Sequence, residues 1–317
     1  MNKCLITKLS GIVNNKNLFT LNESRFSFDN LKNGRFRVDV NSDTEIKVMN
    51  GEFTNEAGTQ HQGTSLVRHA GETTVMYVTA GATVCIMNKH NVKNIDLSNS
   101  NIKDFDLNSL KFFTNLTSLS LQSTSVTGNI NSLSGLTKLT NLALQSTSVT
   151  GDINSLSGLV NLTNLLLYST SVTGDISSLS GLTKLTNLSI YSTSVTGNIN
   201  SLSGLTKLTN LSIYSTSVTG DISSLSGLTN LTILKCSNVK VSGELNALEN
   251  LTKLSTLYID NTSITGDIKE FCNLLKNNGK ISGTLEINAN NSSATFEGVS
   301  KDVIATFTAS SISYSDK

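Results

Sequence analysis

The chain has no proline and no tryptophan, and aromatic residues make up only 5% of its 317 positions. An ordinary globular core would therefore have few large side chains to close around. Charge is scarce too. Lys and Arg number 24 against 23 Asp and Glu, so the formal net charge is +1. That excludes the basic footprint of a nucleic-acid binder. No run of about 18 apolar residues exists to cross a bilayer. The opening MNKCLITKLSG interrupts its short apolar run at Lys8, unlike a secretory leader. These absences predict a soluble protein made without Sec export, with neither nucleic acid nor membrane as partner. Cys4, Cys85, Cys236 and Cys272 are widely scattered. They form neither metal-ligand spacing nor a disulfide framework, which fits a reducing compartment of synthesis or an absence of redox pressure.

Ser, Thr, Asn and Leu dominate instead. Composition alone points toward low complexity, but Leu and Ile recur too regularly for disorder. Gly128, Gly151, Gly174, Gly197, Gly220, Gly243 and Gly266 fall every 23 residues, and STSVTG ends at each of the first five. A period of this length predicts a solenoid in which each unit stacks on its neighbours. In residues 128–150 the apolar positions are Ile130, Leu133, Leu136, Leu139, Leu142, Leu144 and Val149. The first five are spaced by three, which misses the α-helical period and suits 3₁₀ or extended turns. Leu142 and Leu144 are spaced by two, the period of a strand. Each coil reads as a short strand with a non-helical return, giving eight parallel strands between residues 95 and 259.

The segment LTNLALQSTSV, residues 139–149, resembles the leucine-rich repeat, and the following GDI resembles its plant-type subclass. The resemblance covers residues 91–277. It implies a second strand in each coil, consistent with the alternation of Val149, Gly151 and Ile153. Two departures stand out. The family's inward Asn is replaced by Thr124, Thr147, Thr170, Thr193, Thr216 and Thr262, and the plant-type proline is missing. The replacement predicts an inward threonine ladder, with one hydroxyl donor in place of an amide's two.

The expected fold is therefore mainly β. A leucine-rich-repeat solenoid at 90–277, with a parallel sheet and 3₁₀ or extended returns, is flanked by an N-terminal β-rich docking domain at 1–89 and a C-terminal β cap at 278–317. In the first part, RFRVDV alternates as a half-buried strand, and Asn50-Gly51 signals a hairpin. All four arginines, Arg25, Arg35, Arg37 and Arg68, lie there. In the last coils the pattern degrades: Val239 replaces the inward threonine, and the repeat ends near Leu275.

No catalytic constellation is present, and no metal or cofactor is expected. His61, His69 and His90 match no metal spacing, the serines lack a G-x-S-x-G setting, and Gly279-Lys280 lacks the rest of a phosphate loop. The outward strand positions are more telling. Tyr168, Tyr191 and Tyr214 share a column with Gln122 and Gln145 before them and Asp260 at its end. Asn164, Asn187 and Asn210 follow Asn141 in a parallel column. Rings that stack and amides that hydrogen-bond suit a sugar or a peptide. The competing reading is that in-register tyrosines stack on each other and serve the sheet alone. Residues 114–230 carry only Lys138, Asp152, Asp175, Lys184, Lys207 and Asp221, a neutral, hydroxyl-rich surface.

The opening MNKCLITKLSGIVNNKNL, the β-rich segment after it and the STSVTGDI-type repeats resemble proteins of tailed phages of gut Bacteroidales, the crAss-like group included. That resemblance implies a virion component assembled in the host cytoplasm. The leading expectation is a non-enzymatic structural or fibre-like protein. Residues 1–89 would bind other virion proteins, and the solenoid would act as spacer or binder of a host-surface glycan or protein. The alternative is a cell-surface adhesin or protein-interaction module that takes glycan or peptide along the tyrosine column. Oligomeric state stays open.

Overall fold

This computed structural model describes residues 91–100, 102–103, 105–277, 285–290 and 292–296, together with the backbone of strands within 24–86 and 299–316. A single coil shows how the repeat becomes structure. The strand Asn141–Ala143 turns Leu142 into the core and Asn141 and Ala143 to the other side. Leu144 dips inward, and Ser146 then bends the chain in the left-handed region at φ 56°. A second strand, Ser148–Asp152, buries Val149. Asp152 caps the 3₁₀ turn Ile153–Leu156 by accepting the Asn154 N–H at 2.8 Å. Leu159 and Leu162 complete the return, and both are fully buried. The spacing by three is thus a true 3₁₀ turn followed by an open return.

Stacking these coils builds two sheets. Nine parallel strands, from Val92–Asp96 through Asn187–Ser189 to Leu285–Asn288, form the first. Seven parallel strands, from Thr127–Asn129 to Ser263–Thr265, form the second. Between them runs one continuous aliphatic core from Val92 to Ala294. Ile130, Leu133, Leu136, Leu139, Leu142, Leu144 and Val149 are each 0% exposed. At roughly 1.5–3 kcal/mol for each enclosed side chain, the core is the main stabilising term. A lone coil would leave both of its apolar faces in water.

The glycine period has a steric cause. Gly174 sits at φ +106°, and a Cβ there would come 2.7 Å from Cγ of Asp152, the cap of the coil before. Each coil's cap fills the space its successor's glycine leaves open. The serine after the strand is the other bend. Ser123, Ser146, Ser169, Ser192 and Ser215 all lie at φ 52–56°, where Asn99, Asn238 and Asn261 stand in the outer coils. Asparagine tolerates that region better than serine.

Both ends of the first sheet are extended by antiparallel strands. Gly34–Val40 pairs with Val92–Asp96, with a bulge between Asp39 and Val40. At the far end Val303–Phe307 pairs with Leu285–Asn288, and Ile312–Asp316 with Val303–Phe307. The strands flanking Asn50-Gly51 do not pair with each other. Thr44–Met49 joins Ser65–Arg68 and Thr83–Ile86, whereas Phe53–Asn55 joins Thr73–Val78 and Gln60–His61 in a different sheet. A turn-forming dipeptide marks where a chain bends, not which partner the next strand finds.

Two further expectations are modified. The threonine ladder is inward in part: Thr147 and Thr262 are buried, and Thr124, Thr170, Thr193 and Thr216 are half-buried. Its hydroxyls donate back to the carbonyl three residues earlier, for example Thr147 to Leu144 and Thr193 to Ile190, each at 2.6 Å. A hydroxyl on a short side chain reaches its own coil's bend, where a longer amide could span further. The last return is an α-helix, Ile268–Asn277, not a 3₁₀ turn. Ile268, Phe271, Cys272 and Leu275 are buried at i, i+3, i+4 and i+7, one helical stripe that covers the end of the core. Asp267 caps it, accepting the N–H groups of Lys269 and Glu270 at 2.9 and 3.0 Å.

Deleting residues 192–214 joins Tyr191 to Ser215 and keeps every coil in register. The shortened protein should unfold cooperatively with an unchanged circular dichroism spectrum. Deleting 193–214 instead shifts the glycine out of step and should abolish the cooperative melt. A second prediction concerns acid. The Ser177 and Ser223 hydroxyls and N–H groups hold the carboxyls of Asp175 and Asp221 below the usual 3.8. Their ionised form therefore stabilises the fold above that value, and the contribution is lost as pH falls through the lowered folded value. Asp175→Asn with Asp221→Asn, copying Asn129 and Asn198, should keep the urea midpoint at pH 7 and flatten its fall between pH 5 and pH 2. An unaltered acid profile would show that these caps do not set it.

Candidate binding face on the first sheet

The outward side of the first sheet carries three columns of side chains, one residue per coil in each. The first runs Asn141, Asn164, Asn187, Asn210, with register set by the pairing of these residues strand to strand. The second runs Ala143, Leu166, Ser189, Ser212. The third, two residues further on, runs Gln122, Gln145, Tyr168, Tyr191, Tyr214, Ser237, Asp260. Every residue predicted for the site lies in the first or third column. The structure brings them together on one face, as two walls rather than one patch.

The tyrosines stack on each other. Tyr168 and Tyr191 have ring centroids 4.2 Å apart and planes 10° from parallel, and Tyr191 and Tyr214 are at 4.1 Å and 13°. Both faces of Tyr191 are occupied, so it offers an edge and a hydroxyl, not a platform for a sugar ring. Burial raises the pKa of the Tyr191 hydroxyl, and the neighbouring Tyr214 and Tyr168 hydroxyls raise it further. The asparagine wall is joined in part. Asn164 donates to Asn141 Oδ1 at 2.5 Å, Asn141 donates to Ser118 at 3.0 Å, and Asn210 Oδ1 accepts from Ser212 at 3.0 Å.

The column between the walls was not singled out from the sequence. Ala143, Ser189 and Ser212 are buried although they face outward, because the taller side chains on both flanks overhang them. They floor a shallow furrow that runs along the solenoid, interrupted by Leu166 and, toward the C-terminus, by Lys235 and Tyr258. A signal for it was present: the position two before the tyrosine column varies between otherwise near-identical coils. Several oxygens on this face lack a partner. Gln122 Oε1, Gln145 Oε1, Asn187 Oδ1, Asn288 Oδ1 and Asn290 Oδ1 are buried and accept no hydrogen bond.

Toward the C-terminus the face becomes charged. Lys235 Nζ lies 4.6 Å from the Tyr258 ring centroid. Tyr258 donates to Glu286 Oε1 at 2.7 Å. Asp260 accepts from the Ser237 hydroxyl at 2.6 Å and from the Asn290 N–H at 3.3 Å. Among the described residues no group of three or more His, Cys, Asp or Glu is placed to hold a metal. The side chains of His61, His69 and His90 lie outside the described residues.

No family model matches the sequence, and no curated protein matches it. Solved structures do. The ectodomain of the Arabidopsis receptor kinase HAESA, solved with the peptide hormone IDA and the co-receptor SERK1, is similar over 65% of this chain, with 26% identity and a TM-score of 0.54. Internalin C2 of Listeria monocytogenes is similar over 66% of this chain and 82% of its own, with 26% identity and a TM-score of 0.50. The leucine-rich-repeat ectodomain of GASSHO1/SCHENGEN3 from Arabidopsis thaliana, solved with CASPARIAN STRIP INTEGRITY FACTOR 2, is similar over 59% of this chain, with 26% identity and a TM-score of 0.52. The fold is a leucine-rich-repeat solenoid. The chain covers 35% of the HAESA chain and 22% of the GASSHO1/SCHENGEN3 chain. These similarities support the repeat resemblance and give the virion resemblance no support.

Tyr258, in the furrow column of the leucine-rich-repeat sheet, can be read by alkaline titration. The Glu286 carboxylate, with burial second, pushes Tyr258 from 10.0 up to about 12. A raised folded value stabilises fully below pH 10, and the contribution is lost as pH rises through the folded value. Glu286→Gln should bring the late tyrosine transition back toward 10; an unmoved transition would show that this carboxylate is not its cause. Tyr191→Ala breaks two stacked pairs and should cost about 1–3 kcal/mol by urea unfolding.

Proposed function

We propose that the chain is a non-catalytic recognition module that binds an extended peptide or a protein along the outward face of its first sheet. One observation carries this reading. Across residues 128–219 four coils are almost copies: the bends and the outward Ser and Thr of the second sheet do not change, and the core differs only where Leu144 and Leu167 give way to Ile190 and Ile213. Both sheets have a free outward side; the second repeats its Ser and Thr and exchanges only Asn for Asp at the cap position (Asn129, Asp152, Asp175, Asn198), whereas the first changes in size and kind, from Ala143 to Leu166 to Ser189 and Ser212, and from Gln145 to Tyr168. Stacking constrains the inward positions, so it cannot explain why one exposed side differs and the other is repeated. HAESA and GASSHO1/SCHENGEN3, with which the solenoid shares its fold, were solved with a peptide hormone and with CASPARIAN STRIP INTEGRITY FACTOR 2 respectively.

The described residues offer little to a reaction. Burial pushes the Cys236 and Cys272 thiols up to about 12, with Asp260 and Asp267 respectively adding to it. Neither is a nucleophile at neutral pH. Attachment of residues 1–89 to a phage particle, and with it a virion location, rests on the resemblance of the opening residues; mass spectrometry of purified particles tests it.

The binding face is tested with two arginines. Lys235 already occupies the furrow column, so Ser189→Arg places a long cation where the sheet tolerates one. Thr196→Arg is the matching change on the second sheet, where Thr196 is exposed. Ser189→Arg should remove at least one partner captured by the native protein from cell extract and identified by mass spectrometry. Thr196→Arg should keep it. Identical captured sets for the two variants would overturn the proposal.

A further inference from the structure

We infer that the ligand is a neutral, extended polypeptide segment of about nine residues whose N–H groups enter the furrow and whose one basic group lies over Asp260 and Glu286. This deepens the reading of the sheet face as a binding surface and depends on it. The first observation is Gln145. It is 7% exposed, and its Oε1 is buried with no donor. An unpaired buried acceptor is destabilising, and a donor arriving from outside removes that penalty. Gln122 Oε1 in the preceding coil and Asn187 Oδ1 on the opposite wall are in the same state. Gln122 and Gln145 lie one coil apart on one wall and Asn187 two coils further along on the other, so a ligand with donors along its length can reach all three. An extended backbone presents such donors.

The tyrosine stack leaves no platform for a sugar at Tyr191, whose two faces are covered by neighbouring rings; only the outer faces of Tyr168 and Tyr214 have no ring against them. What the wall presents is a row of edges, against which a flat peptide backbone can lie. Charge gives the segment its polarity. From Gln122 to Tyr214 the outward positions of the sheet carry no charged residue. Beyond them, Asp260 and Glu286 accept only from neutral donors, a serine hydroxyl, a backbone N–H and a tyrosine hydroxyl. Neither carboxylate has an ion pair among the described residues, and the Lys235 ammonium is turned to the Tyr258 ring. The unpartnered Asn288 Oδ1 and Asn290 Oδ1 stand at the same end. That concentration of acceptors complements an ammonium or guanidinium group. Six coil spacings separate Gln122 from Asp260 in their column, about 29 Å, which an extended chain covers in about nine residues.

The test selects a displayed library of random nonapeptides against the full chain, beside an array of neutral linear glycans. The enriched peptides should be uncharged apart from one Lys, Arg or free amino terminus near one end. Gln145→Leu and Asp260→Asn should each weaken a selected peptide about tenfold or more, and Thr196→Arg should leave it unchanged. Circular dichroism confirms that each variant is folded, and Glu286→Gln gives an independent reading of the cationic end. Failure to enrich any peptide, or peptides indifferent to Gln145→Leu and Asp260→Asn, overturns the inference. Glycan binding that is lost in Ser189→Arg would keep the binding face and overturn the peptide. Ligands of either class that ignore Ser189→Arg would overturn both.

Discussion

Coils stack with a glycine lying against the cap of the coil before it, where a Cβ would not fit. Asp152 beneath Gly174 shows the arrangement: the carboxylate holds the start of its own 3₁₀ turn and fills the space that a side chain on the glycine would need. The same two residues thus define where one turn begins and how near the next coil can come. A period other than 23 would set a cap against a Cβ, and the leucines above and below would lose their contacts together. The core is aliphatic and close-packed because this contact holds every coil in one register.

Fixed register has consequences beyond the core. Identical residues in successive coils must meet, so tyrosines form a stack, Asn164 bonds Asn141, and Lys138 and Lys184 each reach the asparagine of the coil before, Asn115 and Asn161. Repetition stabilises, but it also makes every coil alike. Recognition requires difference, and difference is tolerated only where side chains leave the stack. The outward positions of the first sheet meet that condition, and the change from a neutral middle to a charged C-terminal end occurs there. Closure of the two ends is a separate problem, handled by antiparallel strands at both ends of that sheet and by the helix Ile268–Asn277, whose stripe of Ile268, Phe271, Cys272 and Leu275 replaces a missing neighbour.

Much of this could be read from the residues. Spacing by two named the strand, spacing by three left a 3₁₀ or an extended return, and the plant-type resemblance, with which Val149, Gly151 and Ile153 agree, implied the second strand. The candidate columns were visible because a strict period assigns each outward residue a place. Other features depended on partners distant in sequence. Asn50-Gly51 located a bend, but the flanking strands pair with Ser65–Arg68 and Thr73–Val78 in separate sheets. The helical stripe after Gly266 was passed over because it was judged against the spacing of its neighbours. The threonine hydroxyls were placed inward by analogy with a longer amide, and they fold back on their own coil because they are short.

By itself the sequence determined the period, the inward set of leucines and the parallel stacking, since a repeat that buries the same positions in every unit has one way to pack. It also determined which residues share a column. Only the tertiary structure decided what those columns present. Whether a tyrosine offers its face or its edge depends on the ring above it. Whether an amide oxygen is paired depends on the rotamers of four or five neighbours. Whether a serine floors a furrow depends on the height of the walls beside it. Those are relations between coils, set by distances of a few ångströms, and the period alone does not contain them.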